Sequence, residues 1–206
     1  MERIINGFKQ FHSTYYNENK ELFKNLANGQ KPHTLFIACS DSRVVPNVIT
    51  SAKPGDIFVV RNIANIVPRY KTDIMGNSCT SSAIEYAVKK LNVSNIVICG
   101  HSDCGGCKAI YLKKEKLDAL PFVKNWVINH LNIKSKVDSE GLNDKEKGEK
   151  TEKLNIIEQI KNIKTYPCVK EKLSNKAINI LGCHYNIDSG KIEILNNATN
   201  RFEIIN

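Results

Sequence analysis

The stretch Asn95-Ile-Val-Ile-Cys-Gly-His-Ser-Asp-Cys-Gly-Gly-Cys107 decides how this chain folds. Its first half is continuously apolar and rich in β-branched residues, the pattern of a strand buried on both faces in a parallel sheet. The second half turns polar and carries His101, Cys104 and Cys107, with two glycines between the cysteines. Ligands of open parallel sheets gather beyond the carboxyl ends of the strands, so the polar half falls where a site belongs. Three chemistries fit it. Cys104 and Cys107 form a redox dithiol at the start of a helix, both cysteines hold a structural metal, or His101 works with only one of them.

The flanking sequence supplies the rest of the sheet. His33–Cys39 and Asp56–Arg61 are further continuously apolar runs, and Ser78–Leu91 places Ala83, Ile84, Ala87, Val88 and Leu91 at helical spacing, with Lys89 and Lys90 in the last turn. Strand, helix, strand implies a parallel crossover. Lys176–Tyr185, and Ile192–Leu195 after the hairpin-like Asp188-Ser-Gly190, extend the sheet, while Ala119–Val137 and Lys150–Ile163 read as helices on its faces. The very polar Asp138–Lys150 reads as an exposed connection. Ile4–Asn25 carries apolar residues at a roughly helical spacing, which predicts one or two amphipathic helices packed on the domain or on a partner subunit. The expected fold is α/β, with a mostly parallel central sheet flanked by helices, as a single domain over 1–206 with an N-terminal helical arm at 1–28.

Bulk properties narrow the function. With 206 residues and 41% hydrophobic content, one domain can bury a substantial core. No run of about 18 apolar residues is present to span a bilayer, and no apolar signal core opens the chain, so a soluble cytoplasmic protein is expected. The net charge of +9 is dispersed among acidic residues and forms no stripe with interleaved aromatics, which argues against nucleic acid. Seven cysteines, an odd number without small-domain spacing, point to a reduced compartment where cysteines at strand ends are metal ligands or catalytic groups.

The first strand ends in Cys39-Ser-Asp41-Ser-Arg43 and the third in His101-Ser-Asp103-Cys104. If these strands lie side by side, Cys39, His101 and Cys104 converge. Two thiolates and an imidazole suit tetrahedral zinc with an open fourth position, the catalytic pattern. Asp41 and Arg43 lie on one side of an extended chain by their spacing, close enough for an ion pair. Asp41 then either accepts a hydrogen bond from zinc-bound hydroxide or itself fills the fourth metal position.

With Cys39–Arg43, Val59-Val-Arg-Asn-Ile-Ala-Asn65, Ser82-Ala-Ile-Glu-Tyr86 and Gly100–Gly106 in this order and spacing, the chain resembles the β-class carbonic anhydrases. The resemblance spans about Gln30 to Tyr185 and implies zinc-dependent, reversible hydration of carbon dioxide to bicarbonate and a proton, by attack of zinc-bound hydroxide. It implies Cys39, His101 and Cys104 as ligands of a zinc ion in each subunit and Asp41 and Arg43 as the catalytic dyad. By the same resemblance, Gln30, Phe58, Ile63, Tyr86 and the backbone N–H of Gly105 bind substrate as in the plant-like subgroup, part of the wall coming from a neighbouring subunit. A homodimer or larger homo-oligomer follows. Phe36 stands where some bacterial members carry the tryptophan of an inhibitory bicarbonate site, while Arg61 and Tyr185 match its other two positions, so that site is not expected. Cys79, Cys99, Cys168, Cys183 and the remaining histidines, His12, His33, His130 and His184, read as structural. The competing readings are a related zinc hydrolase for carbonyl sulfide or carbon disulfide, a disulfide oxidoreductase using Cys104 and Cys107, and a noncatalytic zinc scaffold with Cys107 as fourth ligand.

Overall fold

β-Branched and aromatic side chains favour an extended chain over Thr34–Cys39 (β1), and every position of this strand is buried. The reason is two-sided packing. Leu35 and Ile37 enter a core with Ile96, Ile98, Ile156 and Ile160, while Phe36 and Ala38 pack with Val44, Cys99 and Cys183 on the other face. The structure, a computed structural model, describes residues 1–71, 79–131 and 133–205, the side chains of residues 129 and 130 excepted.

The strands Ile57–Asn62 (β2), Asn95–His101 (β3), Asn179–Tyr185 (β4), Ile192–Asn196 (β5) and Arg201–Ile204 (β6) complete a sheet ordered β2-β1-β3-β4-β5-β6. β1 to β4 pair in parallel, and β5 and β6 add on antiparallel. Five of these strands answer to the sequence expectation, shifted by up to three residues at their starts. β6 was not foreseen, because four residues of which only Phe202 is half-buried carry no clear alternation. From β1 the chain goes to β2 on one side and returns to β3 on the other, so a crevice opens between β1 and β3 at their carboxyl ends.

The helix Asp144–Ile163 lies across β3 and β4. Two glycines permit this approach: a Cβ at Gly100 would meet Ile156 Cδ1 at 2.8 Å, and one at Gly182 would meet Ile160 Cδ1 at 2.7 Å. The helix starts well before Lys150, which corrects the reading of Asp138–Lys150 as a connection. Asn143 Oδ1 accepts from the N–H groups of Lys145 and Glu146, and Glu146 Oε2 accepts from Asn143 N–H, a reciprocal cap that starts the helix in spite of its polar composition. The span Ala119–Val137 is likewise divided. Leu120, held outside the helical region at φ −125° and ψ 64° before Pro121, bars an earlier start, and helices cover Pro121–His130 and Lys134–Asp138, with residue 132 outside the described residues. The predicted helix at Ser78–Leu91 appears as Cys79–Glu85, continued by a wider turn over Tyr86–Lys90; Ser78 lies outside the described residues.

The chain divides into two compact units, Met1–Lys31 and Pro32–Asn206. In the first, the helices Glu2–Phe11 and Lys20–Ala27 flank a wide turn at His12–Tyr16, and Phe11, Tyr15 and Tyr16 cluster with Phe23. None of its residues is buried, and Phe8 is 69% exposed. Among the described residues no helix is long and apolar enough to cross a membrane.

Candidate metal centre

β1 and β3 are direct neighbours, with Ala38 opposite Cys99, so Cys39 at the end of one strand faces the end of the other. Cys39, His101 and Cys104 meet there, all buried, with their possible ligand atoms within 4.8 Å of one another. The Cys39 and Cys104 sulfurs stand 4.0 Å apart, too far for a disulfide, and both thiols are free. Two thiolates on tetrahedral zinc stand about 3.8 Å apart, from Zn–S distances of about 2.3 Å. His101 Nδ1 lies 2.9 Å from the Ser102 carbonyl oxygen. A carbonyl only accepts, so Nδ1 carries the proton and Nε2 offers its lone pair. That Nε2 is buried without a hydrogen-bond partner. An orphaned imidazole lone pair beside two sulfurs at this separation fits a soft divalent metal.

The charge state of the metal-free thiols follows from their surroundings. The neighbouring Cys104 sulfur and burial push the Cys39 thiol up to about 12. The Cys107 sulfur and burial also raise Cys104, although its contact with Cys39 works the other way. Both thiols therefore hold their protons at neutral pH until a metal displaces them.

Asp41 and Arg43 are brought together by a turn, not by the strand spacing expected from the sequence. Asp41 Oδ1 accepts from Arg43 N–H at 3.0 Å, and Val44 N–H donates to the Asp41 carbonyl at 2.9 Å. The side chains then pair through two bonds: Arg43 Nε donates to Oδ1 at 2.9 Å and Nη2 donates to Oδ2 at 2.8 Å. These bonds hold the Asp41 carboxyl well below the usual carboxylate range. Arg43 Nη1 also donates to Asp103 Oδ2 at 3.1 Å, which ties the first strand's turn to the segment between His101 and Cys104. Arg61 acts from β2: Nε donates to the Cys39 carbonyl at 3.0 Å and Nη2 to the Asp41 carbonyl at 2.6 Å. The sequence places Arg61 at the end of the second strand and matches it to a bicarbonate site; here it clamps the backbone on either side of Ser40.

The remaining predicted residues are not gathered at one point. Ile63 lies beside the cluster, in a turn where Ala64 and Asn65 adopt left-handed φ values of 62° and 46°. Backbone partners are scarce in such a turn, so side chains supply them: Trp126 Nε1 donates to the Ile63 carbonyl and Asn155 Nδ2 to the Ala64 carbonyl. Gly106 packs directly on this turn. A Cβ there would meet Ile63 Cγ2 at 2.7 Å and Ala64 Cβ at 2.8 Å, whereas one on Gly105 would meet nothing within 4 Å. Gly106→Ala should cost about 1–3 kcal/mol in denaturant unfolding, as overpacked cores do, with Gly105→Ala much closer to wild type. Gly105 itself opens the short helix Gly105–Ala109.

Phe58 and Tyr86 form a ring pair with centroids 5.9 Å apart. Phe58 is opposite Leu35 and Asn62 opposite Cys39, so the pair sits about 13 Å down the strand from the cysteine cluster at strand rise. Ile63 is 40% exposed and Tyr86 46% exposed. Gln30 belongs to the N-terminal unit.

Cys107 is buried in the helix after Gly105, its sulfur 3.7 Å from Asn155 Nδ2. A redox dithiol needs a reachable thiolate of low pKa, and Cys104 is neither exposed nor lowered. One buried carboxylate escaped the sequence reading. Glu152 accepts from Cys104 N–H at 3.0 Å. Its signal was positional: counting back four residues from Ile156 along the buried stripe Ile163, Ile160, Ile156 lands on Glu152.

Comparison with known proteins leads to the same family. The family model described as carbonic anhydrase matches residues 34–192. A carbonic anhydrase of Pseudomonas aeruginosa is 42% identical, covering 98% of this chain and 90% of its own. One from Helicobacter pylori is 38% identical over 100% of this chain and 94% of its own. Among solved structures, the β-carbonic anhydrase CcaA superposes with a TM-score of 0.94 at 34% identity, covering 100% of this chain and 92% of that one. A tetrameric β-carbonic anhydrase of Sordaria macrospora gives a TM-score of 0.75 at 31% identity, covering 95% and 96%. The family match over most of the length and these superpositions place the chain in the carbonic anhydrase family, within its β class.

Proposed function

We propose that this protein catalyses the reversible hydration of carbon dioxide to bicarbonate and a proton, with zinc held by Cys39, His101 and Cys104. The observation that carries the reading is the partnerless His101 Nε2 beside two free sulfurs, next to a carboxylate locked by an arginine. Zinc, when bound, is a Lewis acid that makes water nucleophilic near neutral pH. Asp41, kept ionised by Arg43, accepts a hydrogen bond from the attacking oxygen and turns its lone pair toward carbon dioxide. Arg43 fills Oδ1 with its N–H and Nε and takes one lone pair of Oδ2 with Nη2, so the remaining Oδ2 lone pair is left to accept that bond, and the carboxylate is read as an orienting group and not as a fourth ligand. Ile63 supplies an apolar wall suited to weak binding of a small nonpolar substrate, and Gly105 N–H supplies a donor. Phe36, deep in the core, offers no indole donor for a bicarbonate site, so an open, plant-like site is proposed.

The protein acts in the cytoplasm as an obligate homodimer or larger assembly in this reading. Two features support the assembly. The arm at 1–28 buries no residue within its own chain, and Phe58 and Tyr86 lie too far along the strand to line their own chain's site. The partner's copies of these residues, with Gln30, complete the wall. Sedimentation should give a dimer or larger species; an active monomer would refute it.

The functional test combines metal analysis with stopped-flow hydration. Purified protein should hold stoichiometric zinc and turn over carbon dioxide faster than carbonyl sulfide or carbon disulfide, and Cys107→Ser should match wild type in both zinc content and rate. Loss of zinc in Cys107→Ser would favour the structural metal site instead, and preference for a sulfur analogue would favour the hydrolase.

A further inference from the structure

Glu152 is a carboxylate only 3% exposed, directly behind Cys104, and the reaction as described makes no use of it. Burying a carboxylate costs several kcal/mol unless its lone pairs are met. Here both oxygens are engaged: Oε1 accepts from Cys104 N–H at 3.0 Å, and Oε2 accepts from His184 Nε2 at 3.0 Å. His184, on β4, is itself buried. Its Nδ1 faces Glu193 Oε2 at 3.4 Å, and Glu193 Oε1 accepts from Lys153 Nζ at 2.9 Å.

The position of Cys104 explains what this arrangement does. Cys104 caps the helix Gly105–Ala109, so its N–H precedes the helical ladder and has no acceptor inside it. In a capping box the third helical residue supplies that acceptor. Here Glu152 supplies it from a different helix. Beside Cys104 that helix cannot drift, because Ile156 is wedged against both Gly100 and Gly182. The backbone of a candidate ligand is thereby pinned to the close contact of this helix with β3 and β4, whereas its neighbour Asp103 stands in a strained left-handed conformation at φ 62°.

We infer that Glu152, anchored by His184, is a positioning residue that holds Cys104 in place and so sets how fast the metal leaves the site. This rests on the zinc reading above. Release requires the Cys104 sulfur to swing away from the metal, and with its amide bound to Glu152 the segment Asp103–Gly105 resists that movement. The contribution is to holding the ligand, with no role in the chemical step.

The test compares zinc transfer to a chelator from the full-length, zinc-loaded protein, the visible spectrum of the cobalt-substituted protein, and the melting midpoint of the metal-free protein. Glu152→Leu should release zinc about 10- to 100-fold faster and shift the cobalt bands, as loss of an outer partner of a metal ligand does. Glu152→Gln keeps a carbonyl for Cys104 N–H, and its NH₂ donates to His184 Nε2 once the ring proton sits on Nδ1, which faces Glu193 Oε2 at 3.4 Å, so it should remain near wild type in release and spectrum. Ile160→Ala, which loosens the same helix without touching Glu152, should lower the melting midpoint and leave both unchanged. Wild-type release from Glu152→Leu, or equally fast release from Ile160→Ala, overturns the inference. Should Glu152→Leu fail to fold, His184→Phe decides: faster release supports the role, and an unchanged rate overturns it. Wild type that takes up no zinc overturns the zinc reading and this inference together, whereas zinc-replete wild type with an unaltered Glu152→Leu rate overturns this inference alone.

Discussion

Cys39→Ser should lose its zinc and, with it, hydration activity, while the fold survives. A serine hydroxyl is a poor ligand for a borderline-soft ion and gives up its proton far less readily than a thiol. If the roughly 10–16 kcal/mol of a four-ligand zinc site divides evenly among its ligands, removing one weakens binding roughly 10²- to 10³-fold. Dialysis against a competing chelator would read this directly. Circular dichroism should stay near wild type, since β1 is held by Leu35, Phe36, Ile37 and Ala38 and its hydrogen bonds to β2 and β3. Zinc retained at wild-type affinity would remove Cys39 from the ligand set. The same site should load less readily as pH falls, because Cys39, pushed up to about 12 by the Cys104 sulfur and by burial, and Cys104 must each surrender a proton to the incoming metal.

Asp41→Asn should keep zinc and lose roughly 10²- to 10⁴-fold in hydration rate, the range by which a positioned proton-handling group contributes. The amide has nearly the same shape, so the turn at Ser42 persists. Its NH₂, however, cannot accept from Arg43, and one of the paired bonds at 2.9 Å and 2.8 Å is lost. The orientation of the attacking oxygen goes with it. The sign of the pH dependence follows from the wild-type carboxyl. Arg43 depresses it, so the charged form persists throughout neutral pH and is lost only as pH falls well below the ordinary carboxylate range. The deficit of Asp41→Asn should therefore be constant between about pH 6 and 9. Unaltered hydration by Asp41→Asn would sink the dyad's role, and a deficit that shrinks as pH falls between pH 9 and 6 would show that Asp41 titrates during turnover.

Strands with continuously apolar sequences, such as Thr34–Cys39 and Asn95–His101, are legible because burial on both faces leaves its mark on every residue. The same holds for ligand chemistry: a cysteine or histidine just past such a strand announces itself by residue type. Other features were hidden because their cause lies outside the local pattern. The early start of the helix at Asp144 depends on a cap whose composition also fits a loop, and the pairing of Asp41 with Arg43 depends on a turn that strand periodicity misassigns. The resemblance puts Phe58, Tyr86 and Ile63 in one wall built partly by a neighbouring subunit, and the distance of Phe58 and Tyr86 from their own chain's cysteines shows only in the strand register.

The amino-acid order alone thus specifies which segments extend, which coil, and which side chains can bind a soft metal. It does not specify that β1 lies between β2 and β3, and that adjacency is what closes Cys39 onto His101 and Cys104. Nor does it reveal that Glu152 leaves solvent to meet Cys104 and His184. Both depend on contacts between residues distant in sequence, 65 positions for the two sulfurs and 48 for Glu152 and Cys104, where close packing of helix against sheet leaves room for one arrangement.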